Sequence, residues 1–95
     1  MLLPHALWFV ADAAGDRLRA MAGYLGLAER NPDAVVAEVQ RLLAVFAVPA
    51  RLREIDISAS ALHDAGEHAM DDFALSAAAR APDAKDVHAL LNAAW

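Results

Sequence analysis

The sequence predicts an all-α fold, a small bundle of about five helices packed orthogonally. Three observations carry this expectation. Apolar residues recur at intervals of three and four along most of the chain, the period of one helix face. Strand signals are nearly absent, because β-branched residues are few and no long alternating run occurs. Strong helix-start signals punctuate the chain, at Asn31-Pro32-Asp33 and again at Asp83.

Residues 2–13 read as a short helix or helix end, with Leu3, Leu7, Trp8 and Ala11 on one side. Pro4 fits such a helix only in its first turn, or in a longer helix kinked there. Gly15 interrupts the pattern. Asp16 is a candidate cap for a second helix whose apolar face is Leu18, Met21, Ala22 and Leu25, and Gly26 is its C-terminal stop. Asn31 caps a third helix with Pro32 in its first position. The stripe Val36, Val39, Leu42, Leu43 and Phe46 is wide and reads as buried.

Pro49 ends that helix or starts the next short turn, and Ile55-Asp56-Ile57 reads as a brief extended link. Ser58 or Ser60 caps a fourth helix running to about Met70, with Ala61, Leu62, Ala65 and Ala69 toward the core. Gly66 weakens that helix by about 1 kcal/mol relative to alanine. Asp71 to Pro82 is less regular. Asp83 caps a last helix with Val87, Leu90, Leu91 and Ala94 inward. No internal repeat or low-complexity linker is present, so residues 1–95 read as one helical domain.

Composition sets further bounds. A chain of 95 residues can bury only a modest core. Its apolar fraction of 59% includes 25 alanines, which bury little each. Mean hydropathy is nevertheless +0.31, so part of the surface is expected to meet a partner. Net charge is −5 and the basic residues are scattered, which argues against nucleic-acid binding. No stretch reaches the roughly twenty apolar residues of a membrane span. The apolar opening lacks the basic start of a signal peptide. The absence of cysteine removes thiolate chemistry and is compatible with a cytoplasmic location, which is the expectation.

Few side chains point to chemistry. His63, Asp64, Glu67 and His68 form the densest polar cluster, and His63 with Glu67 or Asp64 with His68 could each grip one metal ion from a single helix. Two ligands on one helix need a third from elsewhere, so a solvated helix face is the preferred reading. His5 beside apolar residues reads as a packed or capping residue, and His88 as solvated on the polar side of the last helix. Asp71 and Asp72 point about 100° apart on a helix, so a cap or turn is preferred over an acid pair. Trp8, Phe9, Phe46 and Trp95 are assigned to core packing rather than to a ligand pocket. No Gly-rich phosphate loop and no nucleophile-elbow motif occurs. The residues alone assign no catalytic, cofactor-binding or metal-binding group.

Three segments add a family resemblance: Leu2 to Phe9 with its Leu3-Pro4-His5 motif, Pro49 to Ile57, and Asp83 to Trp95. In this order they resemble the last stretch of the iron-containing alcohol dehydrogenases, and look closest to maleylacetate reductase. The resemblance covers nearly the whole chain but only the final quarter or so of the family. It implies a helical C-terminal portion whose nucleotide site and four metal ligands would lie upstream of Met1. His5 matches a motif histidine that is not a ligand. The complete enzyme would use NAD(P) and a divalent metal, iron or zinc, with neither bound by this chain alone. Phe73, Leu75, Ser76 and Arg80 would lie near the substrate. Arg80 matches the arginine of a family Asn-Pro-Arg turn, with Ala78 and Ala79 in place of Asn-Pro. Asp56 stands where glycine is usual, and Val10 where asparagine is usual. The expected partner is a nucleotide-binding N-terminal half or a second copy of the chain. A standalone helical oligomerisation module without catalysis is the alternative.

Overall fold

The computed structural model describes residues 1–95. It is all helical, with five α-helices and no strand. The helices are α1 (Leu3–Val10), α2 (Gly15–Tyr24), α3 (Pro32–Val45), α4 (Ala59–Ala69) and α5 (Ala84–Ala94). Two 3₁₀ turns, Leu52–Ile55 and Phe73–Ala77, punctuate the connections.

Local chemistry sets most of these bounds. Pro4 lies in the first turn of α1, where its missing N–H costs no helical bond, and its ring is buried. The Asn31 side chain accepts the Ala34 N–H at 2.8 Å, and Pro32 follows it into α3. Ser58, rather than Ser60, caps α4 by accepting the Ala61 N–H at 3.2 Å. At α5, Asp83 accepts the Asp86 N–H at 2.8 Å while the Asp86 carboxylate accepts the Asp83 N–H at 3.2 Å, a reciprocal capping box.

Two of the α-helices and one 3₁₀ turn end on left-handed residues. Gly26, at φ +71°, closes α2 in a Schellman motif, with the Leu27 N–H on the Ala22 carbonyl and the Gly26 N–H on the Gly23 carbonyl. Ala47 closes α3 in the same way at φ 54°, with its N–H on Ala44 and the Val48 N–H on Leu43. Asp56 ends the first 3₁₀ turn at φ 62°.

Three local expectations are corrected. Asp16 does not cap α2: Ala14 holds that position, and Asp16 sits in the first turn paired with Arg19. A carboxylate there still favours the positive end of the helix dipole. The extended link at Ile55–Ile57 is instead the end of a 3₁₀ turn followed by the left-handed Asp56. The stripe on α3 is shifted: Val35 and Val36 are buried, while Leu42, Val45 and Phe46 face outward. Periodicity thus marked an apolar face that this chain leaves partly uncovered at Leu42, Val45 and Phe46.

The core consists of two clusters. Leu18, Ala22 and Val35 join α2 to α3, with Leu7, Ala11 and Leu27 packed around them. Leu52, Leu62 and Ala94 join the first 3₁₀ turn to α4 and α5, with Met1, Ile57, Leu91 and Trp95 around them. The Trp95 indole N–H donates to the Ile57 carbonyl at 2.9 Å and closes this second group. On α4 only Leu62 and Gly66 are buried; Ala61 and Ala65 are exposed.

The shape is a slab of 41 × 31 × 16 Å. Packed helix axes stand 8–10 Å apart, so a slab this thin cannot cover both sides of most helices. Its surface is 6350 Å², against about 5300 Å² for a compact monomer of this mass. The uncovered area includes Leu2, Leu3 and Trp8 on α1 and its approach, Val45 and Phe46 on α3, and Phe73.

Candidate functional site

Arg80 is the sequence-singled residue with the most developed surroundings. Its guanidinium lies 4.0 Å from the Phe9 ring centroid and donates to the Phe9 carbonyl at 3.4 Å. It stands 3.7 Å from the Asp86 carboxylate. The Phe9 carbonyl belongs to the last turn of α1, which has no basic residue of its own. Arg80 therefore supplies, from a distant segment, the cation that a helix C-terminus favours. It also lines a cleft of about 320 Å³ with His5, Trp8, Phe9, Asp86 and Leu90. The cleft has an aromatic wall and one cation, a combination that suits a flat or carboxylated organic molecule.

Phe73, Leu75 and Ser76 do not share that cleft. They line a separate depression with Met70, Asp71, Asp72 and Pro82. Local bonds fix the backbone there: the Asp72 carboxylate accepts the Ala74 N–H at 2.9 Å, and the Ser76 hydroxyl donates to the Phe73 carbonyl at 2.7 Å. Asp72 is thus a cap. Phe73 is 87% exposed, an unstable position for a phenyl ring that nothing covers.

His5 lies between two clefts. Besides the one it shares with Arg80, it lines a groove of about 250 Å³ with Met1, Pro4, Gln40, Leu43 and Val48. Trp8 is half exposed, and Phe46 is 77% exposed, so core packing does not account for Phe46. Trp95 is half-buried in the second core group.

The polar cluster on α4 is rearranged relative to its sequence spacing. His68 turns back on its own helix, with Nδ1 2.9 Å from the Asp64 carbonyl oxygen. His63 and Glu67 instead face α5, where His88 meets them. His88 Nε2 is 3.0 Å from the Glu67 carboxylate, and its ring stacks on His63 with centroids 5.2 Å apart. His88 is half-buried, which corrects the expectation that it is solvated. The cause is Gly66. A β-carbon there would lie 2.5 Å from Cε1 and 2.6 Å from Nδ1 of the His88 ring. Glycine in mid-helix weakens α4 locally, but it opens the space into which His88 packs. In the sequence Gly66 reads only as a weak point of the helix, because its packing role is set by the helix opposite.

A family model described as Fe-containing alcohol dehydrogenase family, C-terminal, matches residues 1–95. The chain belongs to that family, as its C-terminal helical domain. Comparison with curated proteins and with solved structures found no match.

Membership implies NAD and a metal for the full enzyme. The residues present form neither the family's nucleotide site nor its set of one aspartate and three histidines. No strand is present to lead into a pyrophosphate-binding turn, and no aspartate converges with three histidines. No helix is long and apolar enough to cross a membrane.

Proposed function

We propose that this chain is the C-terminal helical part of a maleylacetate-reductase-like oxidoreductase. The complete enzyme transfers a hydride from NAD(P)H to a carbonyl or an enol-lactone-type acid in the cytoplasm. The nucleotide and the metal are held by a partner portion carrying the α/β domain. This chain walls the substrate pocket and buries an interface. Within it, Arg80 faces the carboxylate end of the substrate, and Phe73, Leu75 and Ser76 border the same pocket once the partner closes over them.

The observation that carries this reading is the slab form of a family member. The apolar faces at Leu3, Trp8, Phe46 and Phe73 lie outside both core clusters, as expected of helices that a larger fold covers. Arg80 is already held by Phe9 and Asp86, so it is preorganised beside the aromatic wall rather than free in solvent.

The test is co-expression with a nucleotide-binding portion recovered alongside this chain from its source, followed by an NADH-dependent maleylacetate assay. The pair is expected to be active and each part alone inactive. Arg80→Ala in the pair should raise KM for an acidic substrate. Recovery of this chain only with itself would overturn the reading and leave a self-associating module.

A further inference from the structure

We infer that His63, Glu67 and His88 form a binding site for one divalent transition-metal ion of the zinc class. His63 and Glu67 lie one helical turn apart on α4, and α5 supplies the third group that two ligands on one helix require. The ligand atoms of all three lie within 4.8 Å of one another. Tetrahedral zinc with bonds near 2.0–2.1 Å places its ligands about 3.4 Å apart. Closure therefore asks for little more than about 1 Å of movement from side chains at the surface. His63 and Glu67 are exposed and free to make it.

The donor set favours this class of ion. Two imidazoles and one carboxylate suit zinc and its transition-metal neighbours, whereas calcium and magnesium prefer all-oxygen shells. The set leaves one tetrahedral position open. Beside it lies a cleft of about 270 Å³ lined by Ala59, Leu62, Leu91 and Asn92 together with His63 and His88, so water or a small donor can reach that position.

Gly66 is what assembles the set. Without a β-carbon on α4, the His88 ring rests on the helix backbone and reaches the Glu67 carboxylate. The hydrogen bond from His88 to Glu67 already selects the approach the ion would use. His68 and Asp64, although next in sequence, are not among the converging ligand atoms; the His68 ring turns back so that Nδ1–H donates to the Asp64 carbonyl.

The experiment is isothermal titration of the 95-residue chain with zinc chloride, at about pH 7.5 where an ordinary imidazole is mostly neutral. The expected result is one ion per chain at micromolar affinity. His88→Ala and Glu67→Gln should each weaken binding about tenfold or more, and His68→Ala should leave it unchanged. Glu67→Gln preserves side-chain size, and circular dichroism on each variant separates loss of ligand from loss of fold. Cobalt(II) should show the visible absorption of a low-coordinate site, and His88→Ala should abolish it. Absence of saturable zinc binding, or binding that survives both Glu67→Gln and His88→Ala, would overturn the inference. Equal losses on His68→Ala and His88→Ala would overturn it too, by pointing to the single-helix cluster.

Discussion

Ala47→Gly is expected to stabilise the protein, against the usual rule that glycine weakens a helix. Ala47 occupies the left-handed position at the end of α3, with φ 54°. The conformation is enforced by two bonds, Ala47 N–H to Ala44 at 3.1 Å and Val48 N–H to Leu43 at 3.0 Å. An L-residue with a β-carbon loses roughly 1–2 kcal/mol there. Glycine removes that strain but adds about 0.4–1 kcal/mol of unfolded-state freedom. The balance is a gain of roughly 0.5–1 kcal/mol. Two further substitutions give the sign its meaning. Asp56→Gly, at φ 62°, should gain less, because aspartate tolerates the left-handed region better than alanine. Ala44→Gly, inside α3, should lose about 1 kcal/mol. Urea unfolding followed by circular dichroism reads all three, with an unchanged slope certifying a change in stability alone. In a domain of this size each kcal/mol moves Tm by roughly 4–8 °C. Neutral or destabilising behaviour of Ala47→Gly at unchanged slope would refute the strained-cap account.

Two other outcomes are expected. Trp95→Phe keeps one aromatic ring but removes the pyrrole and its N–H, leaving the half-buried Ile57 carbonyl without its donor at 2.9 Å, so stability should fall by about 1 kcal/mol or more in the same unfolding assay. The Glu38 carboxyl, hydrogen-bonded by Arg41 at 2.7 and 2.8 Å, is held below the ordinary value of 4.5, so the folded state favours its ionised form. The small stabilisation is present above the unfolded pKa and fades as pH falls through the folded one; NMR titration should show Glu38 low in the native chain and returned to the ordinary range by Arg41→Gln.

Much of the fold was legible because its signals are local. Asn31-Pro32, Ser58 and Asp83 each hold a cap whose chemistry lies within three residues, and Gly26 announces its own turn. Side-chain destinations were less legible. The α3 stripe has the same helical period at Val36 and Phe46, yet only the first is covered, because burial depends on which helices lie alongside. Ala47 could not be read as a left-handed cap from its type, since nothing about alanine favours that conformation. The His63, Glu67 and His88 cluster spans 21 residues between Glu67 and His88, and periodicity within one helix carries no information about the other. Gly66 was legible only as a weak point of α4, and its meaning is tertiary: the space matters, not the flexibility.

Arg80 shows how a position can be held without the turn chemistry of the Asn-Pro-Arg motif it resembles. Ala78 and Ala79 offer neither the fixed φ of proline nor an asparagine side chain to hold the segment before α5. The segment is instead pinned from both sides. Asp72 and Ser76 bond the 3₁₀ turn that precedes it, and Asp83 with Asp86 close the capping box that follows it. Between these anchors Arg80 reaches the Phe9 ring and carbonyl and the Asp86 carboxylate. The guanidinium joins the 78–82 segment to the end of α1, a link across 71 residues that no other side-chain hydrogen bond to α1 provides. Asp86 consequently has two duties, capping α5 with one oxygen and facing Arg80 with the other. In the proposed pocket, a substrate carboxylate reaching Arg80 would compete with Asp86 and Phe9 as well as with water, because the arginine side chain is half exposed. In the empty cleft those contacts already hold the arginine beside the aromatic wall, and a bound carboxylate would have to displace them.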